Sequence, residues 1–474
     1  MTVHSVRPGG RPVIISNRGN SLLGEGPVVP VGDAASLTYA SVAAQRHDMD
    51  DLKADPRDRD HPDAGSRGGS GAPVGSHRPA VLALLDFYPP AYRAGGPLRA
   101  VPRIVEAIGD EFQFRVITRD GDLGVSTRLT GVVSDRWVDA GHARCLYLSP
   151  RRRLVGGMLA SIRGTYHDVL YLNSFFSIEF SLIPLILRKV RILPRQGLVI
   201  APRGEMDARA LAIKRRRKCL YVWFVQALRL VDDAIWHAAS QNEAEAIEER
   251  FGPQARLAIA PDIAIRPSTP VRLPPKETGR LDVVFLSRIA RMKNLDFAIT
   301  VLGAVEGELN FDIFGPMEDR RYWAECERLA DGLPENVTLR YRGDVRPEAV
   351  TGILQAHHLF FLPTQGESFG HAIVESLMAG CPVLISDQTR WRNLAARRAG
   401  WDLPLSRPDL FRQVIERCID MTEEDLAVWS DGARRLGREV ANDPDVDAAY
   451  RRLFRAASAS TSGTSKPIDR RVAT

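Results

Sequence analysis

Residues 359–386 read LFFLPTQGESFGHAIVESLMAGCPVLIS, and this stretch sets the fold expected for the C-terminal half of the chain. Leu359 to Pro363 is a short apolar run of the kind that forms a buried strand. Thr364 to Gly370 is a glycine-flanked turn, His371 to Ala379 is helix-like, and Val383 to Ser386 is a second apolar run after Gly380-Cys381-Pro382. Strand, turn, helix and strand in that order make the repeating unit of a parallel sheet. The first N–H groups of such a helix lack intrahelical partners and carry partial positive charge, so an anion placed there is stabilised. Gly366 and Gly370 let backbone approach a ligand closely. Glu375, a turn inside the helix, is placed to accept hydrogen bonds from vicinal hydroxyls, and Glu367 in the turn can grip those of another sugar. The arrangement suits a phosphate flanked by two polyols, which describes a nucleotide sugar.

The same rhythm extends outward in both directions. Leu281 to Ser287, Phe311 to Phe314 and Val337 to Tyr341 read as further strands, with helices from about Lys293 and over Arg320 to Ala330. In the first half, Val81 to Phe87, Phe112 to Thr118, Asp168 to Leu172 and Leu198 to Ala201 read as strands and Leu98 to Ile108 as a helix. Ser240 and Glu243 form a capping-box pattern opening another helix. The proline-rich segment 261–275 breaks the alternation and reads as a hinge. Strands alternating with helices twice over, split by a hinge, predict an α/β protein of two doubly wound Rossmann-like domains facing a central cleft. The expected boundaries are 79–268 for the first domain and 269–440 for the second, with a helix over 441–455 crossing back to the first. Residues 1–78 and 456–474 are rich in small and polar residues, and predict a disordered N-terminal extension and C-terminal tail.

Bulk properties agree with that plan. A chain of 474 residues is too long for one ordinary core. The formal net charge of +6 suits an anionic ligand or an anionic membrane surface, and no module with interleaved aromatics points to nucleic acid. Five cysteines (Cys145, Cys219, Cys326, Cys381 and Cys418), scattered and never spaced as C-x-x-C, speak against a disulfide framework or a zinc site and fit a reducing cytoplasm. The N-terminus lacks a signal-peptide profile, and the most apolar window, Ile178 to Leu187, is broken by Glu179 and Pro184. A soluble protein is expected.

Positive charge is supplied where the second sheet should end. The strand Leu281 to Ser287 runs into Arg288-Ile289-Ala290-Arg291-Met292-Lys293-Asn294. Arg288 can hold phosphate oxygens in a fork and Lys293 as a point charge.

These residues carry a resemblance. Phe285-Leu286-Ser287-Arg288 with Lys293-Asn294, Phe314-Gly315-Pro316, Gly343, and Glu367-Ser368-Phe369-Gly370 with Glu375 resemble family four of the retaining glycosyltransferases, glycosyl transferases group 1, over about residues 80–455. Pro89-Pro90-Ala91-Tyr92-Arg93-Ala94-Gly95-Gly96-Pro97 is similar to the family's glycine-rich loop, and Ala201-Pro202-Arg203-Gly204-Glu205 to another recurrent stretch. The resemblance implies the GT-B fold, and transfer of a hexose-type sugar to a glycan or lipid-linked acceptor, usually in polysaccharide or cell-envelope assembly. Carried over, it assigns Arg288 and Lys293 to the donor diphosphate, Glu375 to the ribose and Glu367 to the transferred sugar. It places Ser368, Phe369, Gly370 and His371 beside the sugar and phosphate, adds Gly315 to the donor site, and sets Gly95 and Gly96 across the cleft. No cofactor and no metal are expected, and Asp232-Asp233 reads as structural. Two departures stand out: Pro261-Asp262 replaces a common Asn-Gly, and Asn173-Ser174-Phe175 stands where many members carry a histidine facing the sugar. His167 lies before the strand, so the first-domain residue at the reacting sugar stays open.

Two basic runs, Arg151-Arg152-Arg153 and Lys214-Arg215-Arg216-Arg217-Lys218, admit two readings. The second precedes the apolar run Leu220 to Leu230, with Trp223 and Phe224, which is either a core-facing helix or a peripheral contact with anionic lipid at the inner face of the membrane. Rival functions of the same architecture are an epimerase, a phosphorylase, which lacks an identifiable cofactor lysine here, and a nucleotide-sugar-binding protein without transferase activity.

Overall fold

The structure, a computed structural model, describes residues 78–460 apart from 126, 208–210, 212–214, 265–273 and 368. The expected extension therefore lies outside the described residues except for Arg78, and so does the middle of the proline-rich segment.

The first domain is built on eight strands: β1 (Ala80–Leu85), β2 (Gln113–Arg119), β3 (Trp137–Ala140), β4 (Ala143–Leu148), β5 (Val169–Asn173), β6 (Gly197–Ala201), β7 (Ile235–Ala238) and β8 (Arg256–Ile259). Their order is β3-β4-β2-β1-β5-β6-β7-β8, parallel throughout except for the antiparallel edge hairpin β3–β4. Every residue of β1 is buried. Val81, Ala83 and Leu85 pack into one core while Leu82 and Leu84 pack into the core on the opposite face. A strand covered on both faces needs a continuous apolar run rather than an alternating one, which is why AVLALL is legible as a central strand.

The second domain has six parallel strands, β9 (Arg280–Leu286), β10 (Glu308–Phe314), β11 (Val337–Gly343), β12 (Leu359–Leu362), β13 (Val383–Ser386) and β14 (Gly400–Leu403). Their order is β11-β10-β9-β12-β13-β14. The chain winds one way from β9 and the other way from β12, so the strand order reverses between these two. The first sheet reverses between β1 and β5. A crevice opens at the carboxyl ends of the strands at such switch points, and that is where ligands bind.

The helices at Arg320–Ala330 and His371–Ala379 have the expected bounds. The first is capped by Asp319, whose carboxylate accepts from the Arg321 and Tyr322 N–H groups. At Ser240 the capping box is only half formed. Ser240 Oγ accepts from the Glu243 N–H, but the Glu243 carboxylate turns to the N–H groups of Ala239 and Gly204 instead of closing the box. Glu243 thereby ties the turn after β6 to the end of β7.

The last helix, Pro444–Ala459, lies on the first domain, with Tyr450, Leu453, Phe454 and Ala457 in its core and Arg451 Nε donating to Glu111 at 2.5 Å. It continues past residue 456, where the sequence pattern predicts the tail to begin, because Ala457 is still fully buried.

Candidate active site

The loops after β1, β6, β7, β9, β10 and β12 converge on one cleft between the domains, with a volume of about 250 Å3. From the second domain it is lined by Arg288, Lys293, Gly315, Glu367, Phe369, Gly370, His371 and Glu375, and from the first by Gly95 among others. The structure therefore gathers residues from Tyr92 to Glu375, far apart in the sequence, into one site. Gly96 opens the Gly96–Ile108 helix directly after Gly95, and Ser368 lies outside the described residues.

Arg288 leaves the end of β9, pairs with Glu318, and runs beneath the glycine-rich loop. A Cβ built on Gly95 would stand 3.4 Å from Arg288 Nε, so the two domains meet at this point through a residue with no side chain. Lys293 is buried at the end of the short 3-10 turn Arg291–Lys293, where its ammonium pairs with the Glu367 carboxylate. Gly315 has φ of 134°, and a Cβ there would overlap the Ser287 carbonyl oxygen, so only glycine lets β10 end against the Arg288 segment. Gly370 holds the left-handed conformation that aims the start of the His371–Ala379 helix at the cleft. Phe369 is fixed by the Trp391 indole N–H donating to its carbonyl at 2.9 Å.

Glu375 is buried, and its Oε1 pairs with Arg99 of the first domain. Its Oε2 is also buried and has no hydrogen-bond partner among the described residues. A buried carboxylate oxygen without a donor is costly, and a ligand hydroxyl reaching it removes that cost. Burial, followed by the charge of Arg103, pulls the Arg99 guanidinium down to about 10, so it still carries its charge at neutral pH.

Four pairings within the site have no counterpart in any sequence motif. Arg93 pairs with Asp344 at 2.5 Å, Arg99 with Glu375, Arg203 with Asp262, and His371 Nε2 donates to Asp262 Oδ2 at 3.2 Å. Each joins segments far apart in the chain, and three of the four contacts cross the cleft. Asn173, at the position left open for a sugar-facing side chain, is buried, and its Oδ1 accepts from Arg203 Nε at 2.8 Å. Ser174 Oγ and the Phe175 N–H both donate to Glu205. His167 is buried against the Thr165 carbonyl, away from the cleft lining. Asp233 accepts two bonds from buried Arg188, at 2.9 and 2.7 Å, and is structural.

Two facing, doubly wound Rossmann-like domains with the site between them define the GT-B fold, and known structures agree. Sucrose-phosphate synthase from Thermosynechococcus elongatus superposes with a TM-score of 0.59 at 16% identity, over 81% of this chain and 100% of that one. Anabaena HepE in complex with UDP-glucose gives 0.58 at 15% identity, over 81% and 100%. WaaG, a glycosyltransferase involved in lipopolysaccharide biosynthesis, gives 0.55 at 14%, over 81% and 100%. In sequence, residues 272–434 match the glycosyl transferases group 1 family, which supports a glycosyltransferase. No curated protein matches the chain in sequence. Among the described residues no helix is long and apolar enough to cross a membrane.

Proposed function

We propose that the protein is a retaining glycosyltransferase of family four that moves a hexose-type sugar from a nucleoside-diphosphate sugar to a hydroxyl of a glycan or lipid-linked acceptor. The observation that carries this reading is Glu375: one carboxylate oxygen is buried without a partner, in a cleft that also presents two cations and a helix N-terminus. A ribose hydroxyl donating to Glu375 Oε2 would satisfy that oxygen. The diphosphate would then lie over Arg288 and Lys293, with the N–H groups at the start of the His371–Ala379 helix as further donors. The donor class is consistent with Anabaena HepE, whose structure holds UDP-glucose.

Chemically, the bond from the anomeric carbon to the diphosphate oxygen breaks as the acceptor oxygen bonds to the same face of the sugar. The acceptor proton passes to the leaving diphosphate oxygen on that same face as this oxygen gains charge. Arg288, Lys293 and the helix N-terminus stabilise that growing charge, which is where catalytic interactions count most. Their pairing with Glu318 and Glu367 keeps both cations neutralised until the more highly charged diphosphate competes for them. Glu367, released from Lys293, is then free to accept hydroxyls of the transferred sugar. No metal and no cofactor enter this scheme.

The acceptor side fits a cytoplasmic enzyme that touches the inner face of a membrane. The Arg215–Ala227 helix packs one face on the core, through buried Val225 and half-buried Tyr221, Val222 and Phe224, and leaves Leu220 64% and Trp223 63% exposed on the other. Arg215, Arg216 and Arg217 beside them are exposed too. Leu154, Val155 and Ile178, from the segments after β4 and β5, are exposed on the same domain. Cations beside exposed apolar side chains make a surface suited to anionic lipid.

Calorimetry and thermal shift against UDP-, GDP-, ADP- and TDP-sugars test the donor site. A ligand at 100 times its dissociation constant adds about 2.7 kcal/mol to stability. Glu375→Ala is expected to weaken nucleotide affinity, and Lys293→Ala chiefly to lower turnover. Identical kinetics in wild type and both variants would refute the assignment.

A further inference from the structure

Asp262 stands where the chain leaves the first domain, after β8 and before the linker to β9. Its side chain is 9% exposed, and both oxygens are engaged by groups from opposite sides of the cleft. Oδ1 accepts from Arg203, which belongs to the turn after β6. Oδ2 accepts from Nε2–H of His371, the first residue of the helix that points at the cleft. Arg203 is itself committed on all three of its nitrogens. Besides Asp262 it donates through Nε to Asn173 and through Nη2 to the Tyr171 hydroxyl, at 2.8 and 2.5 Å. Asp262 is therefore held rigidly by the first domain, and it reaches the second domain through one imidazole.

That contact does two things to His371. A carboxylate only accepts, so the nitrogen facing it must carry a hydrogen, and in the neutral ring this leaves Nδ1 as the acceptor. The contact also spans the cleft, because Arg203 and Asp262 belong to one domain and His371 to the other. Burial of the pair strengthens their attraction relative to the same pair in water. Burial pushes the Asp262 carboxyl up, but Arg203 and then His371 outweigh it and hold the group well below the usual carboxylate range.

We propose that Asp262, clamped by Arg203, is a positioning residue that fixes the orientation of His371 and so completes the sugar end of the donor cleft only when the two domains close. The sugar end rests on the glycosyl-transfer reading; the closure rests on the geometry alone. The complementary pair lies on the two motifs, Asp262 in the segment before the linker and His371 in the turn-to-helix stretch, and each is unintelligible without the other.

The test uses the full chain with Asp262→Asn, His371→Asn and the double variant. Spin labels on Cys219, the exposed cysteine of the first domain, and on Ala324→Cys, exposed on the second, report the interdomain distance with no ligand present. Each single variant is expected to add a population at longer distance, and the double variant to add nothing beyond the singles. Diphosphate release from UDP-glucose, GDP-mannose, ADP-glucose and TDP-glucose supplies the second readout. Asp262→Asn is expected to lower kcat by roughly tenfold or more while KM moves less than about twofold, as misplacement of a positioning contact does. Unchanged distances in Asp262→Asn overturn the proposal, and so does a kcat that survives the substitution. Shifted distances in the variants, with a wild type that turns over none of the four sugar nucleotides, would leave the closing contact standing and remove the transfer reading.

Discussion

His237 lies inside the first domain with both ring nitrogens engaged. Its Nε2–H donates to the Ala260 carbonyl at 2.8 Å, and Nδ1 accepts from the Tyr171 hydroxyl at 3.0 Å. Burial, and then the nearby Arg203 charge, pull this imidazole down to about 3. An unfolded chain binds a proton on the same histidine below about pH 6.5, so between there and about pH 3 the unfolded state carries more protons than the folded one. Stability contributed by His237 is thus fully present above pH 6.5 and lost as the pH falls. The limiting slope is about 1.4 kcal/mol per pH unit. Urea unfolding of wild type and His237→Gln, compared from pH 7 to pH 4, is expected to show the gap between them narrowing toward acid. Parallel curves would show that the ring accepts a proton without unfolding. The residue scale is also where sequence reading was weakest. His237 shows no motif, and Arg99 and Asp262 resemble any surface charges until their partners, Glu375 and His371, are placed beside them. The residues of the turn-to-helix stretch were legible because their spacing is local.

Elements were easier to read where a strand or helix is defined by its own composition. The buried strands β1, β9, β10, β12 and β13 and the helix at His371–Ala379 emerge from apolar runs, glycines and prolines within a few residues of one another. The edge hairpin β3–β4 leaves no such pattern, since Trp137–Ala140 is only partly buried and lacks the apolar signature of a central strand. The end of the Pro444–Ala459 helix was misplaced because AASAS has the composition of a flexible tail, whereas docking onto the first domain keeps it helical. Phe454 is the anchor of that docking. It is fully buried, with ring centroids 5.8 Å from both Phe112 and Phe114 and 5.4 Å from Tyr171. Phe454→Ala is expected to destabilise the first domain by about 3–5 kcal/mol, as deleting a buried aromatic ring from a packed core does. Calorimetry should then show the first domain melting ahead of the second. A single transition at the wild-type midpoint would mean that the helix rests on the domain without supporting it.

At the scale of the whole molecule, the exposed apolar and cationic residues of the first domain follow β4, β5 and β6, and of these segments the turn after β6 lines the cleft through Arg203. Arg153 Nη1 bonds Glu179 at 2.8 Å, and Lys218 Nζ lies 4.9 Å from the centre of the Phe176 ring, so these segments adjoin one another. Replacing residues 214–218 with glutamine, with and without Trp223→Ala, is expected to reduce sedimentation with vesicles of phosphatidylglycerol and phosphatidylcholine. Sedimentation equal to wild type in both variants would remove the membrane contact while leaving the donor chemistry intact. By itself the sequence determined the two-domain α/β plan and the cations and carboxylates of the second domain, whereas the reversal of strand order within each sheet came from the structure. The plan and the charges are set by short-range patterns of burial, helix starts and turn residues, which one chain segment encodes alone. Only the tertiary structure decided that Arg99 reaches Glu375, that Asp262 joins Arg203 to His371, and that the last helix returns to the first core. Such pairings depend on where distant segments meet, and Coulomb attraction between two side chains acts only once the fold has brought them within a few ångströms.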